Sequence, residues 1–262
     1  MSTTHKFDDR AARKIEIMYQ TADVVDQRLL THKMLELRAG EAVLDIGCGP
    51  GLLAHEMAKT VGPGGRVCGI DLSGDMVAIA MRRCADQGWT EFEQADAAAL
   101  PYPEDIFDAA ASTQVYEYVE DVPAVLTELR RVLRPGGRAL IIDTDFDSLV
   151  LHSDDEALTQ RILMAWDDHF VHRDLPRKLS PILRDAGFTI RRRDTLPMFN
   201  PEYHRNAFGS HLVRVIAAFA VGREGITQEE ADSWVMGLER LGAEGSFFFS
   251  LNRYLFLAEK TR

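Results

Sequence analysis

Cysteine is scarce in this chain: Cys48, Cys68 and Cys84 are the only three in 262 residues. Three thiols without a C-x-x-C pair build neither a disulfide framework nor a thiolate metal cage, and they fit a reducing compartment. Long apolar runs are also missing. The longest, such as 215–221, are far too short to span a bilayer. The opening residues, MSTTHKFDDR, offer no apolar stretch for export. Basic charge is in deficit, with 30 Lys and Arg against 41 Asp and Glu and a net charge of −11. Such a chain is a poor partner for a polyanion. Its dense basic run, Arg191-Arg192-Arg193, is followed at once by Asp194 and reads as a solvated edge. These absences predict a cytoplasmic protein, monomer or homodimer, with no nucleic acid and no membrane as partner.

With 46% apolar and 27% charged residues, the chain suits a globular fold, and no repeat interrupts it. The segment 10–37 has a helical pattern, with Ile15, Met18, Val25, Leu29, Leu30, Met34 and Leu37 available for an apolar stripe. Short strands and helices then alternate. Strands are expected at 42–46, 66–71, 91–95, 107–112 and 138–143, and helices at 52–61, 75–87 and 121–133. That rhythm implies right-handed crossovers and a parallel sheet covered on both faces. Beyond Asp143 the pattern loosens. A helix at 178–186, a strand at 188–191, helices near 206–221 and 228–241, and closing strand segments at 247–250 and 254–258 are expected. The expected division is an N-terminal helical segment (1–38), a core (39–145), a variable insertion with one more helix and strand (146–195), a helical substrate lid (196–246) and a final strand (247–262).

The sharpest motif is Val43-Leu44-Asp45-Ile46-Gly47-Cys48-Gly49-Pro50-Gly51, between the first strand and its helix. Glycines there let the backbone turn tightly and approach a ligand. A dinucleotide fingerprint needs glycine at position 52, which is Leu. Asp45 would repel a pyrophosphate but suits an ammonium group. The loop thus favours a cofactor that carries an amino acid and no phosphate. Asp71, ending the second strand, can accept both hydroxyls of an adenosine ribose. Asp96, after the third, can accept from an adenine amino group.

VLDIGCGPG, GIDLS, QADAAALPYPEDIFD, ASTQV and ELRRVLRPGGRALIID together resemble the class I S-adenosylmethionine-dependent methyltransferases, and among them the ubiquinone/menaquinone-type and related small-molecule enzymes. The resemblance covers about residues 40–145. It implies an α/β, Rossmann-like, doubly wound sheet of seven strands whose last strand is antiparallel. It implies S-adenosyl-L-methionine as cofactor, with the methionine moiety over Gly47 and Gly49 and held in part by Gln114. The implied cofactor set is Asp45, Gly47, Cys48, Gly49, Gly51, Asp71, Leu72, Met76, Asp96, Ala97, Thr113 and Gln114.

Many relatives carry histidines just after the fourth strand. This chain has Val115-Tyr116-Glu117-Tyr118-Val119. On an extended segment Tyr116 and Tyr118 would face one pocket, and Tyr19 could close it from above. Tyr116, Tyr118, Tyr19, His169 and His211 are therefore the candidate catalytic residues. Asp143, Asp145, His172, Tyr203 and His204 are further candidates for a general base. Aromatic walls suit a flat, electron-rich acceptor, and whether O, N or C is methylated stays open. His169-x-x-His172 lacks a third ligand, so no metal is expected. The three cysteines do not converge on one site, which argues against arsenite methylation. A nicotinamide-dependent oxidoreductase and a non-catalytic nucleotide-binding scaffold are the alternatives.

Overall fold

The computed structural model describes residues 16–261. In chain order the elements are α1 (Ala22–Leu35), β1 (Ala42–Ile46), α2 (Leu52–Val61), β2 (Arg66–Asp71), α3 (Gly74–Arg83), β3 (Thr90–Gln94), β4 (Phe107–Thr113), a 3-10 turn (Tyr116–Tyr118), α4 (Val122–Val132), β5 (Leu133–Leu151), α5 (Glu156–Asp167), α6 (Leu175–Asp185), β6 (Phe188–Asn200), α7 (Phe208–Ala220), α8 (Gln228–Ala243) and β7 (Phe249–Lys260). The strands form one sheet in the order β3-β2-β1-β4-β5-β7-β6. β1 pairs in parallel with β2 and β4, and β7 is antiparallel to both β5 and β6. The expected seven-stranded α/β sheet with an antiparallel last strand is what the chain adopts.

Side-chain alternation along the central strands explains why both faces are covered. Val43, Ala109, Ala111, Leu140 and Ile142 pack with Met57 and Val61 of α2 and with Met34 and Leu35 of α1. Leu44, Ile46, Ala110, Ala139 and Ile141 pack on the other side with Val125 and Leu129 of α4 and Leu179 and Leu183 of α6. Each fully buried large aliphatic side chain contributes roughly 1.5–3 kcal/mol. Asp121 caps α4 by accepting the N–H of Ala124 at 2.9 Å, and Pro123 sits in the first turn, where its missing N–H leaves no gap.

The N-terminal helix differs from the expectation. Residues 16–19 are helical, the chain breaks at Gln20 and Thr21, and α1 starts anew. Thr21 is extended (φ −62°, ψ 152°), and its hydroxyl donates to the Met18 carbonyl at 2.8 Å. Arg28 takes the Tyr19 carbonyl at 2.6 Å. The break resets the phase, so α1 buries Val24, Gln27, Arg28, Thr31, Met34 and Leu35, while Leu29 is 60% exposed. Residues 10–15 of the expected helix lie outside the described residues.

The last three strands are longer than expected. β5 runs on past Asp143 to Leu151, with an irregularity between Asp145 and Val150 bridged by the Ser148 hydroxyl, which accepts the Asn252 N–H at 2.9 Å. β6 runs to Asn200, and the two expected closing segments form the single strand β7. These extensions carry a second apolar cluster beyond the carboxyl end of the sheet. It joins Ile162 and Trp166 of α5, Val213 and Ile216 of α7, Trp234 and Leu238 of α8, and Phe249 and Leu251 of β7. No helix among the described residues is long and apolar enough to cross a membrane.

α7 lies almost flush on β6 and β7. A Cβ at Gly209 would sit 2.6 Å from the Phe249 ring and 2.8 Å from the Asn200 amide oxygen, and Phe249 is fully buried. Gly209→Ala is therefore expected to destabilise the protein by about 1–3 kcal/mol through overpacking. A thermal melt would show this as a midpoint lowered by roughly 2–4 °C per kcal/mol; an unchanged midpoint would mean that α7 is free to shift.

Candidate active site

The strand order reverses at β1, and the crevice beyond the carboxyl ends of the strands is where an open α/β sheet takes its ligand. The loop there needs its glycines for different reasons. Gly47, Gly49 and Gly51 have φ of +67°, +50° and +76°, which L side chains rarely adopt. A Cβ on Gly47 would lie 2.3 Å from a Val115 methyl, and one on Gly51 would lie 2.8 Å from Ala80. Gly49 is bounded differently: its nearest neighbour would be the Tyr19 ring at 3.9 Å. Gly49 is thus the open floor of the loop, and Tyr19 lies over it. The Cys48 side chain is buried, and burial together with Asp45 pushes its thiol up, so it is unreactive.

Asp71 braces this loop. One carboxylate oxygen accepts the Gly49 N–H at 2.9 Å and the other accepts the Ser73 N–H at 2.8 Å. Each oxygen keeps a second lone pair for a ligand hydroxyl. Burial raises the Asp71 pKa and the two N–H groups oppose the rise. Behind the loop, Asp45 is buried. Desolvation, with the neighbouring Asp71 charge, raises it to about 8, against an N–H donated by Ala54. Its Oδ2 has no hydrogen-bond partner. Two carboxylates this close, one of them orphaned, suit a cation beside them.

Asp71 and Asp96 end neighbouring strands, since Asp71 registers with Gln94. Asp96 is exposed, and its side chain bends the loop by accepting the Ala98 N–H at 2.8 Å. Leu72 is exposed at 56%, while Met76 and Ala97 are buried. Thr113 ends β4. Gln114 follows with φ +57° and donates its N–H to the Ile142 carbonyl at 2.7 Å. Such strain in a non-glycine residue clusters at functional sites. The expected cofactor residues thus lie at or just past the ends of four adjacent strands, except Met76, which is in the first turn of α3.

The acceptor side departs from the expectation. Tyr116–Tyr118 is a 3-10 turn, not an extended segment, so the two rings do not share a face. Tyr116 is 0% exposed and packs in the core with Leu126 and Leu175. Burial and the Asp143 charge hold its phenol far above the usual range. Tyr118 turns the other way, is 39% exposed, and meets His169 at 5.5 Å and Phe170 at 5.6 Å. His169 stacks on Trp166 at 4.2 Å with Phe219 at its edge. His211 lies on α7, where burial and Arg214 hold its imidazole below the usual range. Asp145 is gripped by Arg177 at 2.6 and 2.9 Å, and Tyr203 and His204 pair with Glu239 and Glu202.

Two groups that the sequence reading passed over are central here. Glu117 is fully buried. Its Oε2 accepts the Thr144 N–H at 2.9 Å, and burial raises its pKa against that bond and the pull of Arg253. Asp143 beside it is raised further by burial and by Glu117 itself. Tyr19 senses Arg253, Asp71 and Glu117, so it links the cofactor loop to this pair. Arg253, fully buried on β7, is the second. Its signal was legible: Leu251, Arg253 and Leu255 alternate onto one buried face. No group of three or more His, Cys, Asp or Glu that could hold a metal occurs among the described residues.

Residues 44–141 match the methyltransferase domain family. The core is a class I S-adenosylmethionine-dependent methyltransferase domain. The cofactor of that domain is S-adenosylmethionine. The chain is 42% identical over 109 residues to a 2-phytyl-1,4-naphtoquinone methyltransferase of Synechococcus elongatus, covering 40% of this chain and 47% of the relative. It is 35% identical over 144 residues to the ubiquinone/menaquinone biosynthesis C-methyltransferase UbiE of Hahella chejuensis, covering 53% and 58%. These matches span about half the length of the curated relatives. A phosphoethanolamine N-methyltransferase of Haemonchus contortus, solved with S-adenosyl-L-methionine, shares the fold with a TM-score of 0.64 at 20% identity, over 99% of this chain and 59% of that one.

The raised Asp45 pKa has a consequence for stability. In the unfolded chain Asp45 titrates near its ordinary value, and in the folded protein near 8. Its contribution is therefore fully present at low pH and lost as pH rises through about 8. Asp45→Asn should flatten the fall in the ligand-free melting midpoint between roughly pH 5 and pH 8, a change on the order of a few kcal/mol. Parallel pH profiles for the two proteins would place the carboxylate in a more solvated setting.

Proposed function

We propose that the protein transfers a methyl group from S-adenosylmethionine to a small aromatic or cyclic metabolite, as a monomer or homodimer in the cytoplasm. One observation carries this reading. A glycine loop braced by Asp71 and backed by an orphaned, buried Asp45 lies under Tyr19, which is electrostatically coupled to Tyr118, and Tyr118 borders an aromatic cluster of Phe146, Trp166 and Phe170. The first half fits an adenosyl group joined to an amino acid, and the second fits a flat acceptor.

The fit to the cofactor is residue by residue. Asp45 answers its ammonium group, the Asp71 lone pairs its ribose hydroxyls, and Asp96 its adenine amine. Gly49 leaves room for the methionine chain, with Thr113 and Gln114 on the β4 side. When bound, S-adenosylmethionine supplies a sulfonium methyl group that leaves to a nucleophile in line with the C–S bond. The chain's share is to hold the acceptor in a dry, oriented pocket and to take a proton where the acceptor carries one. Glu117 suits the second task. Its pKa is raised toward neutrality, and it faces the Tyr118 hydroxyl. Tyr19 and Tyr118 orient the acceptor, and segment 196–246, with α5 and residues 16–38, forms the lid that excludes water.

The reading is tested by calorimetry with S-adenosylhomocysteine and NAD, followed by methyl transfer to a panel of quinols and hydroxyaromatics. Binding of NAD in place of S-adenosylhomocysteine would return the nicotinamide reading. Asp71→Ala should weaken S-adenosylhomocysteine binding by roughly tenfold to a few hundredfold, the worth of one or two charge-assisted hydrogen bonds. Affinity within error of wild type would remove Asp71 from the ribose site.

For an acceptor that must lose a proton, Glu117→Gln should cut turnover by roughly 10²–10⁴ while leaving S-adenosylhomocysteine affinity in place. Wild-type turnover should rise with pH as Glu117 ionises, under the influence of Arg253, Tyr118, Tyr19 and Asp143. The variant should lose that limb of the profile. An identical pH profile in both proteins would pass the base role to another group.

A further inference from the structure

Arg253 is the largest fully buried side chain among the described residues. It stands on β7 opposite Thr144 of β5, at the carboxyl end of the sheet and two strands from β4. Its Nη1 donates to the Gln27 side chain, and its guanidinium lies 4.6 Å from the Phe208 ring centre. Nε and Nη2 have no hydrogen-bond partner. Neither of the carboxylates nearby is hydrogen-bonded to it. Asp23 accepts from the Asn200 amide at 3.1 Å and from the Phe208 N–H at 3.1 Å. Glu117 accepts the Thr144 N–H at 2.9 Å through Oε2, and its Oε1 is without a partner. Burial lowers the Arg253 pKa to about 10, with Glu117 and the two phenols Tyr19 and Tyr118 opposing that fall, so the guanidinium remains charged at neutral pH.

A buried guanidinium with an idle Nε–Nη2 edge is costly, and that edge is the fork that matches the two oxygens of a carboxylate. The same edge does this elsewhere in the molecule. Arg191 holds both oxygens of Glu259 through Nε and Nη2, each at 2.9 Å, and Arg177 holds Asp145 the same way. The groups around the Arg253 fork are those of the acceptor side: Tyr118, Glu117, and Tyr19, whose ring lies over Gly49.

We propose that the Nε–Nη2 edge of Arg253 receives a carboxylate of the methyl acceptor, so that the substrate is an aromatic or cyclic carboxylic acid. The proposal rests on the methyl-transfer reading and narrows its substrate class. Arg253 anchors the acid, Gln27 and Phe208 fix the guanidinium plane, and the aromatic wall takes the ring. The acceptor's nucleophilic atom then lies between this anchor and the cofactor loop, within reach of Glu117.

The test uses the full chain saturated with S-adenosylhomocysteine and compares 2-naphthoate with 2-naphthamide, which has the same ring without the charge. In a thermal melt the acid should raise the midpoint by about 2 °C or more beyond the amide at millimolar concentration. Arg253→Met, an apolar replacement that buried sites commonly tolerate, should abolish that difference while leaving S-adenosylhomocysteine affinity within about threefold. Should the Met variant fail to fold, Arg253→Lys keeps the charge without the fork and should lose most of the difference. Equal shifts from acid and amide, including none from either, overturn the proposal, as does a difference that persists in the variants. A loss of S-adenosylhomocysteine affinity of about tenfold or more in either variant also overturns it, because the fork would then serve the cofactor's own carboxylate. Failure of the wild-type protein to bind S-adenosylhomocysteine would instead sink methyl transfer, and the comparison of acid and amide would still report on the fork.

Discussion

Desolvated carboxylates at the carboxyl edge of the sheet are the constraint around which the rest is arranged. Asp45, Asp71, Glu117 and Asp143 are all raised by burial. Each is kept in place by backbone N–H groups: Ala54 of α2 for Asp45, Gly49 and Ser73 for Asp71, Thr144 of β5 for Glu117, and the 3-10 turn for Asp143. Parallel strands end in such N–H groups, so the fold supplies the donors. What it does not supply is countercharge. Arg253 is the cation beside Glu117, and it is itself incompletely satisfied. A site of this kind is poised for a ligand that brings both signs of charge.

The two halves of the sheet divide the work. β1, β2 and β3 end in the glycine loop, Asp71 and Asp96, and their short loops are stiffened by local hydrogen bonds. β5, β6 and β7 run on past that edge and carry α5, α7 and α8 in a separate apolar cluster. The strained Gln114 stands at the seam, with Val115 packed against Gly47. Movement of the acceptor half would therefore be felt at the loop through Val115 and through Tyr19.

Much of the first half was legible in the sequence because its signals are local. VLDIGCGPG carries its own reason for every glycine, and strands such as Ala42–Ile46 are bounded by turn residues on both sides. The acceptor half was less legible because its determinants are tertiary. Tyr116 and Tyr118 are two apart, which implies a shared face only on extended chain; a single 3-10 turn sent one ring into the core. The break at Thr21, where the hydroxyl bonds the Met18 carbonyl, rotates the buried face of α1: Met34 stays inside while Leu29 turns outward. Glu117 hid between two tyrosines that drew attention to themselves. Arg253 falls between the two closing segments expected at 247–250 and 254–258, and nothing in the local pattern says that Gln27, 226 residues earlier, lies beside it.

The strand that carries Arg253 is the last in chain order, yet it lies between β5 and β6. Those two strands cannot pair through it until it has been synthesised, whereas β1 to β4 find their partners from chain already made. Assembly must therefore run across the sheet from the cofactor edge to the acceptor edge, and the longest sequence separations are closed last. Until that closure, β5 exposes an apolar flank along much of its length. During synthesis that flank is the surface most open to mispairing with another chain. The strand that completes the acceptor side is thus also the one that removes the nascent protein's chief aggregation hazard.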